Sequence, residues 1–459
     1  MTPVRRAAAA AARRTSGGNP REAAALVLAR VDVGQAFANL LLTSALERAR
    51  LSPADAGLAT ELVYGVLRHR ARLDWTLAGA LRRPLLDLPP RIRAVLRAGA
   101  YQLLFLTRIP ARAAVDESVS LARAHGHAGT AKLVNAVLRR IAADGERPLP
   151  EGPASERIAV EHSHPLWLVE RWLARFGSEE TTALCRANNT AAPTTARVNT
   201  LRLDPPEAEQ RLRREGFQVS RTALPEAVIL DGPFSARHRF VEEGLLSIQD
   251  LAAIAVTHIL DPQPGEMVID AAAAPGGKTT HIAERMRDRG RVIACDIHQG
   301  KLQRLSARVA AMGLASVEAH HLDARAVGRT FPEQADRLLL DAPCTGLGVV
   351  RRRPDIKWRV RTDDPAALAR VQRELLHGAA PAVRPGGVLV YSVCTTEEEE
   401  GKGVVEAFLR DHRGFTPEGF TLPGELREAG GSAGSVMLLP HRHGTDGFFI
   451  ARLRRRARP

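Results

Sequence analysis

Residues 267–280 read MVIDAAAAPGGKTT, and this stretch decides the architecture of the larger half of the chain. A short apolar run ends on Asp270, small residues lead through Pro275, Gly276 and Gly277, and Lys278 opens a segment of helical character. Strand, tight turn and helix in that order begin a parallel α/β unit. The same order recurs in RVIACD (291–296), VEAHHLD (317–323), RLLLDAPC (337–344) and GGVLVYSVC (386–394), and VMLLP (436–440) with FFIARL (448–453) predicts a closing hairpin. Two nucleotide-binding signatures fail on their own pattern. A Walker A loop needs Gly where Ala272 stands, and the dinucleotide fingerprint G-x-G-x-x-G is missing.

Upstream the period changes. From about residue 20 to 143 nearly every segment is helical; Ile92, Val95, Leu96, Gly99 and Leu103 share one face, while Arg139 and Arg140 point away from Val134, Val137, Leu138 and Ile141. GERPLPEGPASE (145–156), with three prolines, predicts a boundary. The segment 164–245 combines a helix stopped by Gly177, a strand in TARVNTLRL (195–203), a helix in PPEAEQRLRREG (205–216) and a strand in AVILDG (227–232), which suggests a small βαβ-type module. The expected organisation is multidomain: an all-α bundle over 1–145, a small α+β module over 146–245, and an α/β Rossmann-like domain over 246–459.

The 459 residues carry 65 Lys plus Arg against 51 Asp plus Glu, and only five of the cations are lysines. A basic, arginine-rich chain suits a polyanionic partner. Residues 1–145 hold 22 basic and 10 acidic side chains, so nearly all of the +14 excess lies at the front, and five more arginines fall within Arg452–Pro459. The opening MTPVRRAAAAAARR reads as a disordered basic tail without the apolar core of a secretory signal, and no stretch is apolar enough to span a membrane. Four dispersed cysteines form neither a disulfide framework nor a C-x-x-C metal pair, so a reduced, cytoplasmic protein without metal is expected.

Ligands of open parallel sheets bind beyond the carboxyl ends of the strands. Asp270, Asp296, Asp323 and Asp341 all end strands there, and Asp296, 26 residues beyond Asp270, suits a ribose. Cys344 and Cys394 end two neighbouring strands, each before a turn or helix that can favour a thiolate. Cys185 and Cys295 lack that setting and read as core residues.

DAAAAPGGKT, LLLDAPCTGLG and VYSVCT resemble the RNA 5-methylcytosine methyltransferases, and the whole arrangement is similar to their Fmu/Sun group, which acts on small-subunit ribosomal RNA. KLVNAVLRR resembles the NusB family of RNA-binding bundles, and SHPLWLVERW, RVNTLR, SIQD and DGFFIARL extend the likeness over almost the whole chain. The resemblance implies a seven-stranded methyltransferase sheet and S-adenosylmethionine as cofactor. Ala273, Ala274, Pro275, Gly276, Gly277 and Lys278 would pass beneath it, with Asp296 on its ribose, Asp323 near its adenine and Asp341 beside it. It further implies Cys394 as nucleophile, Cys344 as the group that helps release product, Asp341 on the base, and Lys278 polarising the base or orienting Asp341.

The substrate would be a single-stranded or flipped-out cytosine of 16S rRNA, approached by a monomer. Arg351, Arg352, Arg353, Lys357 and Trp358, with Arg139 and Arg140 of the bundle, are the expected RNA contacts. Another RNA, tRNA or large-subunit rRNA, or a non-catalytic assembly role, are the alternatives. Three positions depart from the family pattern: Ala272 replaces Cys, Val393-Cys394-Thr395 replaces Thr-Cys-Ser, and Gly401 replaces the Asn after Glu400.

Overall fold

The computed structural model describes residues 18–458 apart from Gln35, Pro233 and Ala236; the basic opening segment lies outside the described residues. It divides into two compact units, one running to Asn189 and including Arg352–Arg359, the other comprising Thr190–Arg351 and the chain from Val360 onward.

The first unit is helical: Pro20–Asp32, Ala38–Ala49, Pro53–Arg68, Arg70–Ala80, Pro90–Phe105, Ala111–His125, Ala128–Asp144, Ala154–Glu161 and Leu166–Asn189. Caps start the helices where the sequence supplies them. Asn19 accepts from the Arg21 amide at 2.8 Å, and Ser52 precedes Pro53 and accepts from Asp55. Ile92, Val95, Leu96 and Gly99 are buried as their period predicts, and Arg139 and Arg140 are exposed. Part of the arginine excess is internal. Asp32 binds Arg70 at 2.9 Å, Arg93 at 2.5 Å and Arg97 at 3.0 Å, while Arg97 also grips Asp74 at 2.7 Å. Five opposed charges thereby join three helices.

The proline-rich segment 145–156 is not the edge of this unit. The Trp75 indole donates to Pro148 O at 2.8 Å, Arg147 stacks on the Trp75 ring at 3.8 Å, and Ser163 Oγ accepts from the Ala71 amide at 2.7 Å. The helices beyond it pack on the bundle. Arg352–Arg359 is also part of this unit, which corrects the expected RNA role of Lys357 and Trp358. Lys357 is fully buried, with Nζ on Arg68 O at 3.1 Å and Asn189 Oδ1 at 3.0 Å. Trp358 is half-buried and donates its indole N–H to Leu67 O at 2.7 Å. Arg351, in the other unit, is buried too, its guanidinium directed at Gly444 O and Ala191 O. Within the cluster only Arg353 is exposed and Arg352 half-exposed.

The second unit contains two sheets. The smaller comprises β1 (Thr194–Val198), β2 (Gln218–Arg221), β3 (Ala227–Asp231) and β4 (Leu246–Ile248) in the order β2-β3-β1-β4. Its neighbouring pairs are antiparallel, while β1 and β2, joined through the helix Pro205–Arg214, flank β3 and run parallel to each other, so the βαβ-type reading holds in split form with β3 inserted between the two strands. β2 and β4, four and three residues long, are too short to show a period. The helix Pro205–Arg214 packs Ala208 and Leu212 against Ala196, Val198, Val219 and Leu230.

The larger sheet comprises β5 (Met267–Asp270), β6 (Arg291–Asp296), β7 (Val317–His321), β8 (Ala335–Asp341), β9 (Val383–Val393), β10 (Phe415–Pro417), β11 (Ser435–Leu438) and β12 (Phe448–Arg455). It has eight strands rather than seven, in the order β10-β12-β9-β8-β5-β6-β7, with β11 also on β12. The five strands β9-β8-β5-β6-β7 are parallel, and β12 runs antiparallel beside β9 and forms the expected hairpin with β11. Alternation assigns the faces. Val268, Leu339, Val388 and Val390 enter one core, with the helices Leu251–Leu260 and Gly277–Arg285; Ile269, Leu338, Leu340, Leu389 and Tyr391 enter the other. Four of the five terminal arginines are paired, Arg452 and Arg454 with Glu418 and Arg455 and Arg458 with Glu333, while Arg456 and Arg458 stay exposed.

Burial lowers the Lys357 ammonium from 10.5 to about 7. The unfolded chain thus keeps this proton over a pH range where the native chain has lost it, so Lys357 makes stability rise between pH 7 and 10.5. Lys357→Met is expected to flatten that rise in denaturation midpoints measured against pH. An unchanged slope would mean that the buried lysine stays charged.

Candidate active site

In the parallel register of β8 and β9, Asp341 stands opposite Ser392, and the Ala342 amide donates to Ser392 O at 2.9 Å. The two loops that follow therefore leave the sheet side by side, each bearing a cysteine. Cys344 Sγ lies 3.2 Å from Cys394 Sγ. The hydrogen bond to Cys394, together with burial, pushes the Cys344 thiol well above its ordinary value, so Cys344 keeps its proton. Cys185 and Cys295 are buried, with burial pushing each thiol up to about 12, as suits core residues.

Asp341 is fixed from both sides. Ser392 Oγ donates to Oδ1 and Lys278 Nζ to Oδ2, each at 2.7 Å. Lys278 is the second residue of the helix Gly277–Arg285 and sits over the Phe448 ring, 5.2 Å from its centroid. Burial opposes its charge, but Asp341, with contributions from Cys394 and Asp270, outweighs burial and raises it above the ordinary lysine value. The lysine orients the aspartate as a fixed cation.

The turn before this helix is compact. Ala273 and Gly276 are buried, Ala274 and Gly277 half-buried and Pro275 exposed. Gly276 has φ +100°, and a Cβ there would lie 2.9 Å from Leu305 Cγ, so both backbone conformation and space require glycine. Asp296 spans the turn, accepting from the Ala274 amide at 3.2 Å and the His298 amide at 2.8 Å. Asp323 caps the helix Ala324–Thr330 through the Arg325 amide at 2.8 Å and pairs with Arg325. Asp270, beneath the turn, accepts from Thr279 Oγ1 at 2.7 Å through Oδ2, while its buried Oδ1 has no hydrogen-bond partner among the described residues. Burial pushes this acid up to about 7.

Glu400 is the residue the sequence undervalued. Fully buried, it accepts from the Thr345 amide at 2.8 Å, Thr345 Oγ1 at 2.5 Å, Thr395 Oγ1 at 2.8 Å and Gln372 Nε2 at 3.1 Å. Thr345 and Thr395 each follow a cysteine, so one carboxylate ties both thiol loops together. At Gly401 a Cβ would meet Phe449 Cγ at 2.9 Å; the phenyl ring fills the room a side chain would need. A sequence signal for Ser392 existed in its place as the one aliphatic hydroxyl within a strand of largely apolar, buried character.

Away from this edge, Glu226, His258 and His281 each bring one potential metal-ligand atom within 4.8 Å of the others. Arg285 Nη1 approaches His258 Nδ1 at 3.3 Å and sets a fixed positive charge against that cluster.

Three family profiles match the chain: "16S rRNA methyltransferase RsmB/F" over residues 257–454, the NusB family over 18–143, and an RsmF/B-like, ferredoxin-like domain over 164–237. The probable ribosomal RNA small subunit methyltransferase B of Bacillus subtilis (strain 168) is 40% identical over 446 residues, covering 95% of this chain and 98% of that protein. The chain belongs to the RsmB/F family of 16S rRNA methyltransferases. The solved structure of PH0851 superposes on it with a TM-score of 0.81 at 30% identity, over 95% of this chain and 98% of that one. NSun6 from Pyrococcus horikoshii, solved with SFG, gives 0.57 at 26% identity over 63% and 98%. The chain is a small-subunit rRNA methyltransferase with a NusB-like bundle, a small domain and a mixed-sheet Rossmann-like domain. Asp341, Cys344 and Cys394 all fall within the RsmB/F match.

Glu400→Ala would leave the Thr345 amide, two hydroxyls and the Gln372 amide without their acceptor. A loss of about 3 kcal/mol in denaturant unfolding is expected, from several orphaned donors, with faster alkylation of Cys344 and Cys394 by iodoacetamide. Unchanged alkylation would show that Glu400 does not order the two loops.

Proposed function

We propose that the chain methylates carbon 5 of a cytosine in 16S rRNA, with S-adenosylmethionine as donor and Cys394 as covalent nucleophile. The observation that carries this reading is the pair of thiols 3.2 Å apart beside the doubly anchored Asp341. Carbon 5 of cytosine is a poor nucleophile. A thiolate added to carbon 6 makes it enamine-like and able to attack an electrophilic methyl group. Cys394 forms that carbon–sulfur bond, while Asp341, oriented by Lys278 and Ser392, hydrogen-bonds the ring nitrogen and amino edge of the base. Once carbon 5 has gained methyl it gives up its proton to water, the C–H electron pair restores the 5,6 double bond, and the Cys394 sulfur leaves carbon 6 as a thiolate. Cys344, held as a thiol next to that sulfur, assists the release.

The residues present fit the cofactor. The turn Ala273–Gly277 admits a ligand close to the backbone, Asp296 lies beside it where it would accept from ribose hydroxyls, and Asp323 stands at the next strand end. The unpartnered Asp270 Oδ1 beneath the turn is a buried polar atom of the same edge. When bound, S-adenosylmethionine supplies the methyl group as a sulfonium; this chain's residues hold the base and the thiolate in place.

Cys394→Ala is expected to abolish methylation of one 16S cytosine in bisulfite sequencing of RNA from a complemented deletion strain. If the lost methyl group lies in tRNA or large-subunit rRNA, the substrate assignment is wrong; if no cytosine changes, the enzymatic reading fails. Cys344→Ala is expected to trap a protein–RNA adduct stable to SDS, and an adduct formed without Cys394 would reverse the two roles.

The exposed Arg139 and Arg140 are assigned to RNA phosphates, together with Arg352 and Arg353. Replacing Arg139 and Arg140 by alanine is expected to reduce the slope of log affinity against log salt by about 1–2. An unchanged slope would place the phosphate contacts elsewhere.

A further inference from the structure

RVNTLR has no part in the chemistry described so far, yet its first arginine is among the most completely buried charges of the described residues. Arg197, on β1, is 0% exposed. Nε donates to Glu284 Oε2 at 3.0 Å; Nη2 donates to Glu284 Oε1 at 2.7 Å and Thr280 Oγ1 at 3.0 Å; Nη1 donates to Gly277 O at 2.7 Å and to Gln249 Oε1. All three guanidinium nitrogens are engaged, the condition under which a buried charge is tolerated.

Four of the five acceptors are atoms of the helix Gly277–Arg285. Positions 277, 280 and 284 are spaced by three and four residues and so share one helix face. The small sheet reaches that helix a second time through Glu226, which stands immediately before β3. Its Oε1 lies 3.0 Å from Nε2 of the buried His281 and 2.6 Å from Nε2 of His258.

A leucine at position 197 could fill the space but could not fix the helix along or about its axis. The bond from Nη1 to Gly277 O does so at one peptide unit. That carbonyl belongs to the peptide linking Gly277 to Lys278, at the point where the cofactor turn ends and the lysine that orients Asp341 begins. Its position therefore sets both.

We propose that Arg197 is a positioning residue for methyl transfer: the small antiparallel sheet, through Arg197 and Glu284, sets the height and rotation of the helix Gly277–Arg285, and thereby the cofactor turn and the Lys278–Asp341 pair. This rests on the methyltransferase mechanism proposed above. It gives the small sheet a task in catalysis that does not depend on its touching RNA.

The test uses the full-length chain with Arg197→Lys, which keeps the charge but loses the fork, and Glu284→Gln, which keeps the shape but loses the charge. Hydrogen exchange of amides 277–285 is expected to quicken about tenfold, and affinity for S-adenosylhomocysteine to fall about tenfold. The methylation kcat is expected to drop about 30-fold, the scale of a sub-ångström misplacement, with RNA affinity within about twofold of wild type. In a Lys278→Met background, Arg197→Lys should lower kcat by no more than about threefold, because the two act on one unit. Unchanged exchange and cofactor-product affinity would overturn the proposal, as would independent, multiplicative effects with Lys278→Met. A loss confined to RNA affinity would make β1 an RNA surface instead. Should Arg197→Lys fail to fold, Glu284→Gln provides the same comparisons. If the wild-type chain transfers no methyl group, the catalytic reading has failed, and hydrogen exchange still decides whether Arg197 braces the helix.

Discussion

Everything at the reacting edge depends on the parallel register of β8 and β9. With Asp341 opposite Ser392, the hydroxyl reaches the carboxylate, and the loops after the two strands bring thiols 50 positions apart in the chain to 3.2 Å. A slip of one residue would turn every side chain of one strand to the opposite face. It would turn the buried Ser392 toward the opposite core, among Leu389 and Tyr391, and leave Asp341 without one of its two anchors. The alternation of Leu389 and Tyr391 into one core with Val388 and Val390 into the other makes such a slip costly along the whole strand. Catalytic geometry is thus protected by apolar packing that never touches substrate.

Buried ionic groups then refine what the sheet defines coarsely. Glu400 joins the residues after both cysteines, Lys278 fixes Asp341, and Arg197 ties β1 to the helix that carries Lys278. Such groups contribute little net stability compared with well-packed apolar residues of similar volume. Their use here is directional: an apolar contact tolerates rotation, whereas a carboxylate accepting from two threonines does not. The glycines at 276 and 401 complement this by leaving room for Leu305 and Phe449 beside the same loops.

The strand-end acids and cysteines were legible in the sequence because each follows a recognisable apolar run, and the ligand-binding edge of a parallel sheet is known once its strands are known. Glu400 and Arg197 were not legible in the same way. Their partners lie 55 and 87 positions away for Thr345 and Glu284, and only the register and rotation of distant elements bring them together. Glu400 is the last of four consecutive glutamates, and Glu397 is buried as well; the bonds from Thr345, Thr395 and Gln372 are what distinguish Glu400. β10, with only three residues, gave no period to read, so the eighth strand appeared only in the structure.

The charged cluster after Cys344 shows where composition misleads. Arginine, lysine and tryptophan together suit phosphates and bases, but Lys357 and the Trp358 indole are occupied by backbone carbonyls of the helical unit. The same correction applies to net charge. Arg70, Arg93 and Arg97 neutralise Asp32 and Asp74, and four of the five terminal arginines neutralise Glu418 and Glu333. A charge excess counts every cation equally, whereas an RNA backbone meets only those that folding leaves exposed. The electrostatic footprint that matters is therefore narrower than the +14 total and falls to residues such as Arg139, Arg140 and Arg353, which remain exposed on the folded chain.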